Sequence, residues 1–452
     1  MMNISVIGGG MTGLVLAYRL SQQGHTVTVF EHSNQLGGLA TYHDYGSFVW
    51  DKFYHVILPS DTSLINFIKE IGLGDKLRWR QTLTGFYVDK QLHSISNTVE
   101  FLRFPALGII DKIRLALTLF YGSRIKNWRR LEKISVEDWL VKISGKSTYE
   151  KFWKPLLLAK LGESYKRVSA VFIWSYIKRL YLARDSSSYK EHLGYVMGGY
   201  KTVFDQVEKL IYSTGGDIRT GVAVERIAPD PKSGMWVEYK GKKEHFDKVI
   251  FTAPVDILQS VAADGLVKVA SKGASPTVRD RHTVEYLGVI CMVLITRKPL
   301  VPYYVVNIAD RRVPFTGIIG MSNLISLQES SGLHITFLPK YVLSDDPLLQ
   351  QPKEELRKLF FGGLRLMFPN LEADDVVAAH INRAIKVQPL QVLNYSSLVP
   401  NIVTEHDDFF VLNTSQFVND TLNNNTVIRH VDEFLKHSPL LNKRIRHKEI
   451  NY

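Results

Sequence analysis

Residues 3–31 read NISVIGGGMTGLVLAYRLSQQGHTVTVFE, and their order decides the fold. Asn3 to Ile7 is a short apolar, partly β-branched run, followed by Gly8, Gly9, Gly10, Met11, Thr12 and Gly13. Apolar residues at Leu14, Ala17, Tyr18 and Leu20 then recur at helical spacing until Gly24. Thr26 to Phe30 is a second strand and closes on Glu31. Strand, glycine turn, helix and strand in this span predict one βαβ unit with parallel strands. Each glycine has a steric task. Gly8 permits the tight turn, Gly10 lets the backbone approach a pyrophosphate, and Gly13 lets helix and strand pack closely. The pyrophosphate is expected on the amides that open the helix, at Met11, Thr12 and Gly13. Glu31 follows at about the 20-residue offset where an acid takes the ribose hydroxyls. The Glu31 carboxylate is expected to be partly exposed, with the ribose as its main partner.

A second glycine pair follows within His32-Ser33-Asn34-Gln35-Leu36-Gly37-Gly38-Leu39. This resembles the extended FAD signature shared by amine oxidases, protoporphyrinogen oxidases, phytoene desaturases and UDP-galactopyranose mutase. No further GxGxxG occurs in the chain, so FAD is expected without a separate NAD(P)H fold. The resemblance extends through Tyr195-Val-Met-Gly-Gly-Tyr200, Val222 to Ile227 and Phe246 to Pro254. Trp153 to Leu157, Phe337 to Tyr341 and Arg383 to Leu390 resemble a bacterial protoporphyrinogen-oxidase-like subgroup.

The resemblance implies an α/β fold: a Rossmann-type FAD-binding domain with an inserted helical segment and a mixed-sheet substrate domain. Residues 1–60, 190–260 and 385–452 would form the discontinuous FAD domain, 61–189 the helical insertion and 261–384 the strand-rich substrate domain. FAD would be held non-covalently by Gly8, Gly10, Met11, Thr12, Gly13, Glu31 and His32, and by Gly37, Gly38 and Leu39 of the second pair. Phe53, Tyr54 and His55 would lie beneath the flavin ring, and Val224 beside the adenine. His55 is the candidate acid/base, since imidazole titrates near neutral pH. Lys52 is a candidate pyrophosphate partner.

Two departures accompany the resemblance. Where the family has a Gly-Asp pair and then a glycine entering the last helix, this chain has Phe410-Val-Leu-Asn-Thr-Ser-Gln416 and Asn423-Asn-Asn-Thr426. Ser415 and Thr426 are the expected flavin contacts there. The lysine that amine oxidases carry on a substrate-domain strand has no counterpart between Tyr286 and Thr296, where Cys291 stands instead. Gly145-Lys146-Ser147 is not a P-loop, because Leu140 occupies the position of the required first glycine.

The 452 residues carry 56 Lys and Arg against 44 Asp and Glu, a net charge of +12 that favours anionic partners. One cysteine excludes an internal disulfide, an iron–sulfur cluster and a cysteine-rich zinc site, and fits a reducing, cytoplasmic setting. No metal site, targeting segment or nucleic-acid module is expected, and the partner is a small, anionic substrate. The basic amphipathic stretch Arg103 to Arg130 is expected to pack its apolar residues inward, with peripheral membrane contact as the alternative. The expected activity is hydride transfer from a substrate C–H bond to FAD, with an external acceptor for reoxidation. The alternatives are a non-redox flavoenzyme of the UDP-galactopyranose mutase type and a flavin-binding scaffold without turnover.

Overall fold

The computed structural model describes residues 1–182, 192–266, 284–402, 404 and 406–437. The expected boundary near residue 190 lies outside them. The opening βαβ unit forms as its sequence predicts, with Asn3–Ile7 and Thr26–Phe30 paired in parallel. They centre a five-stranded parallel sheet in the order Phe409–Val411, Lys248–Phe251, Asn3–Ile7, Thr26–Phe30, Asp217–Arg219. Both faces are covered, which is why these strands are almost wholly apolar. The helices Met11–Gln22, Gly199–Ser213 and Asn424–His437 pack on one face. The antiparallel strands Arg226–Pro229, Met235–Tyr239 and Lys242–Phe246 lie over the other, against Phe30 and Phe251.

The second sheet has seven strands. Its order is Val376–Pro389, Tyr286–Thr296, His334–Leu343, Gly317–Gly320, Val305–Ile308, Thr84–Val88, Gln91–Ser94. Tyr286–Thr296 is buried along its entire length between two long antiparallel partners. The hairpin predicted around Asp89-Lys90 forms, with both residues at positive φ. It joins this sheet through the parallel pairing of Thr84–Val88 with Val305–Ile308. The helix Thr62–Glu70, by contrast, packs with the first helix on the nucleotide lobe, across the boundary expected at residue 61. Asp61 stands at its N-cap but caps nothing: the carboxylate accepts from Leu58 N at 2.8 Å and from Arg179 at 3.0 Å.

Helices between Thr98 and Leu182 form a third body around Trp139, Trp153 and Trp174. Here the expected inward packing of Arg103 to Arg130 is corrected. In the helix Ile109–Arg124 the buried residues are Asp111, Lys112, Leu115, Thr118 and Gly122, while Ile109, Ile110, Ile113, Leu117, Phe120 and Tyr121 are exposed. Polar bonds set that orientation: Asp111 accepts from Ser147, Thr148 and Lys151, each at 3.1 Å, and Lys112 Nζ donates to Leu102 O at 2.7 Å. Among the described residues, no helix is long and apolar enough to cross a membrane.

Candidate functional site

The glycine loop at the end of the first strand is packed to the limit of what a Cβ-free backbone allows. A Cβ on Gly13 would fall 1.9 Å from Gly8 O. One on Gly37, at φ +108°, would fall 2.4 Å from the Phe204 ring. Gly37 N donates to Gly9 O at 2.8 Å and Gly37 bridges Gly10, so the two glycine segments face one another. Gly38 and Leu39 continue past this contact as a partly exposed turn. Gly10 is the N-cap of Met11–Gln22, with no capping side chain and no acid in the first turn. Met11 and Thr12 bury their side chains, so they offer a ligand only their amides.

Glu31 differs from its expected role. Its Oε2 accepts from Gly9 N at 2.7 Å and its Oε1 from Ser33 N at 2.8 Å. With 12% of the side chain exposed, it braces the glycine loop. Glu31→Ala should therefore lower the melting temperature of apoprotein and holoprotein alike, by the equivalent of about 1–3 kcal/mol for two orphaned amides. Thermal unfolding of both forms checks this; a loss confined to the holoprotein would restore the ribose as sole partner. His32 is 82% exposed, with its Nδ1 3.3 Å from Glu31 Oε1.

From the glycine cradle a line of rings leads to His55. Phe204 packs on Gly37, Tyr200 lies 6.1 Å from Phe204, and His55 meets Tyr200 edge-on at 5.2 Å. Asp51 ends the strand Val49–Asp51 and is 2% exposed. One of its oxygens accepts from Tyr200 N at 2.8 Å; the other lies 3.7 Å from His55 Nδ1. That separation is too long for a hydrogen bond, and His55 Nδ1 is buried without a partner. The segment is pinned beyond His55 by the reciprocal bonds between Ile57 and Gly194, at 2.8 and 2.7 Å. Phe53 is partly buried beside it.

One residue before His55, Tyr54 opens a second cluster. Its hydroxyl lies 2.7 Å from that of Tyr341 on the strand His334–Leu343. Lys160, from the helix Lys154–Leu161, donates to Tyr176 at 2.5 Å and sits 4.1 Å from the Tyr176 ring and 5.6 Å from that of Tyr341. Tyr54, Lys160, Tyr176 and Tyr341 all keep some exposure although three different parts of the fold enclose them. Together they form one partly buried polar cluster between these elements. Burial raises the pKa of Tyr54 and Tyr341 above the ordinary phenol range. Burial works against the Lys160 ammonium, while its bond to the Tyr176 hydroxyl and its seat over the Tyr176 ring favour it.

Other expected contacts fall elsewhere. Ser415 is fully buried, donating to Asn413 Oδ1 while its carbonyl accepts from Tyr395 at 2.6 Å; its neighbour Thr414 is the partly exposed residue. Asn413 Nδ2 donates to Ala253 O at 3.1 Å, which puts this turn at the carboxyl ends of the parallel strands, where ligands bind in such sheets. Thr426 is 2% exposed, and its amide is taken by Asn423 Oδ1 at 2.9 Å, so Asn423 caps the last helix in place of a glycine entry. Val224 is partly buried just before Arg226–Pro229. Lys52 lies by His43 and Lys353 rather than at the glycine loop; burial and Lys353 depress its pKa. Cys291 is fully buried on the sheet face that carries Tyr45 and Tyr54, and burial pushes its thiol pKa up. The sequence reading missed Asp51, Lys160, Tyr176 and Tyr341; only the position of Asp51 one turn before His55 signalled any of them.

These residues fit a dinucleotide cofactor, since the first-turn amides are uncapped, the cradle is bare of Cβ atoms and a buried imidazole nitrogen is unpartnered. Comparison with known proteins agrees. The family of flavin containing amine oxidoreductases matches residues 11–385. The flavin-dependent L-tryptophan oxidase of Lentzea aerocolonigenes is 33% identical over 119 residues, covering 25% of each chain. Mitochondrial protoporphyrinogen oxidase of Nicotiana tabacum is 24% identical over 145 residues, 31% of this chain and 28% of that protein. The chain thus spans about a quarter of the length of these curated relatives. A reduced UDP-galactopyranose mutase shares the fold, with a TM-score of 0.71 at 16% identity over 96% of each chain.

Proposed function

This chain belongs to the family of flavin-containing amine oxidoreductases, and from that premise we propose that it is an FAD-dependent oxidoreductase acting on a C–H bond of a small anionic substrate. FAD is held without a covalent bond, since the sole cysteine is fully buried within a strand. Bound FAD supplies the hydride acceptor, and an external oxidant restores it. The observation that carries the reading is the unbroken packing from the glycine cradle through Phe204 and Tyr200 to His55, beside the cluster of Tyr54, Lys160, Tyr176 and Tyr341, which this reading takes as the wall of a substrate cleft.

The residues divide the work. The amides of Met11 to Gly13 and the facing glycines bind the pyrophosphate, and Glu31 braces that loop. Lys160, held between two tyrosines, anchors a substrate carboxylate or phosphate by a charge-assisted bond. Tyr54 and Tyr341 wall the cleft and exclude water. His55 takes or gives a proton at Nε2, with Asp51 behind it at the Nδ1 side to stabilise the charged imidazole.

An anaerobic screen tests this. Acid precipitation should leave the yellow cofactor in the supernatant, and a carboxylate-bearing or phosphorylated substrate should bleach the flavin. Lys160→Gln should then raise KM at least tenfold with kcat nearly unchanged, the signature of lost uniform binding. A nucleotide sugar that stabilises the protein without bleaching would replace this reading with a non-redox one. Substrates that bleach equally well with and without an anionic group would remove Lys160 from it.

A further inference from the structure

We propose that the outward face of the helix Ile109–Arg124, with Val99 and Leu102 of the adjoining helix Thr98–Arg103, docks the protein on an anionic membrane surface. Ile109, Ile110, Ile113, Leu117, Phe120 and Tyr121 are each 49–64% exposed. At helical spacing they share an arc of about 120°. Val99 and Leu102 add exposures of 56% and 53% beside them. A contiguous apolar face of this kind marks an interaction surface. The inner face is polar and fully engaged, with Asp111 and Lys112 as its fixed points, so the orientation is built in.

Charge selects the occupant. Arg103, Arg114, Arg124, Lys126, Arg129, Arg130 and Lys133 are all exposed within residues 98–134. The carboxylates of that stretch are engaged internally: Glu100 with Ser94 and Ser96, Asp111 as above, and Glu132 with Ser396. Arg124 lies 4.4 Å over the Phe120 ring and Arg129 5.4 Å over Trp128, the arrangement of cations that stay at the headgroups while their stems and rings go deeper. A second copy of this chain would set one cationic rim against another. A nucleic acid would match the cations and leave the isoleucines without a partner. A leaflet containing anionic lipid satisfies both.

Flotation of the full-length holoprotein with vesicles provides the test, comparing phosphatidylcholine alone with phosphatidylcholine plus phosphatidylglycerol. The protein should float with the anionic vesicles only, and added salt should release it. The double substitution Ile113→Ser, Leu117→Ser should reduce binding at least tenfold. Arg124→Gln and Lys126→Gln should each reduce it about fivefold, the equivalent of roughly 1 kcal/mol per charge near such a surface. Flavin content and melting temperature should stay at wild-type values in all three. Failure to float, equal binding to neutral vesicles, or serine variants that float like the wild type would each overturn the proposal. So would a dimer in light scattering that the serine variants abolish, which would assign the face to a second copy.

Discussion

Gly13→Ala should yield a colourless protein. The added methyl would sit 1.9 Å from Gly8 O, and both partners are backbone, so no side-chain rotation relieves the clash. The helix must move away from the first strand, and the movement passes directly into the cradle. Gly10 precedes the helix and bridges Gly37, while Gly9 is tied to both Glu31 and Gly37. Flavin occupancy should fall more than tenfold, and the apoprotein should lose about 1–3 kcal/mol, the usual cost of overpacking. Gly24→Ala is the matched control. Gly24 also has positive φ, at +82°, but a Cβ there meets nothing within 4 Å. It should cost about 1 kcal/mol through backbone strain and leave the colour intact. Visible absorbance and thermal unfolding of the two variants give the answer. A yellow, fully loaded Gly13→Ala protein would show that the cofactor does not depend on this cradle.

How much of this was legible beforehand follows from the range of the interactions. The βαβ unit was readable because its constraints are largely local: strands buried on both faces must be apolar, and Gly13 answers to Gly8 within the same turn. The Asp89-Lys90 hairpin was readable for the same reason. The Asp51 contact was not, since its partner Tyr200 lies 149 positions along the chain. Lys160, Tyr176 and Tyr341 come from three separate elements, and nothing in any one of them marks a cleft. Ser415 shows a finer error. With Asn413 at the N-cap of this turn, the side chain at 415 points into the core and 414 is the partly exposed position. The helix Ile109–Arg124 shows the limit of periodicity itself. Spacing reveals that one face is apolar, and only remote partners such as Ser147, Thr148 and Lys151 decide that it faces outward.

The sharpest test of the chemistry is His55→Ala. The ring is held by Tyr200 on one side and by the bonds of Ile57 just beyond it, so deleting it leaves the glycine cradle, some distance along the chain, with all its contacts. Flavin content should therefore stay near wild type. Substrate-driven flavin reduction should slow by about 10²–10⁴-fold, the usual share of a positioned acid/base. Asp51→Asn probes the same pair from behind. An amide can still accept the Tyr200 N–H but cannot balance a charged imidazole, so it should slow the reaction less than His55→Ala. A histidine that only props the loop would behave differently: occupancy and rate would fall together in His55→Ala. Wild-type rates with full flavin would remove His55 from the mechanism and leave the proton to Tyr54, Tyr341 or the substrate itself.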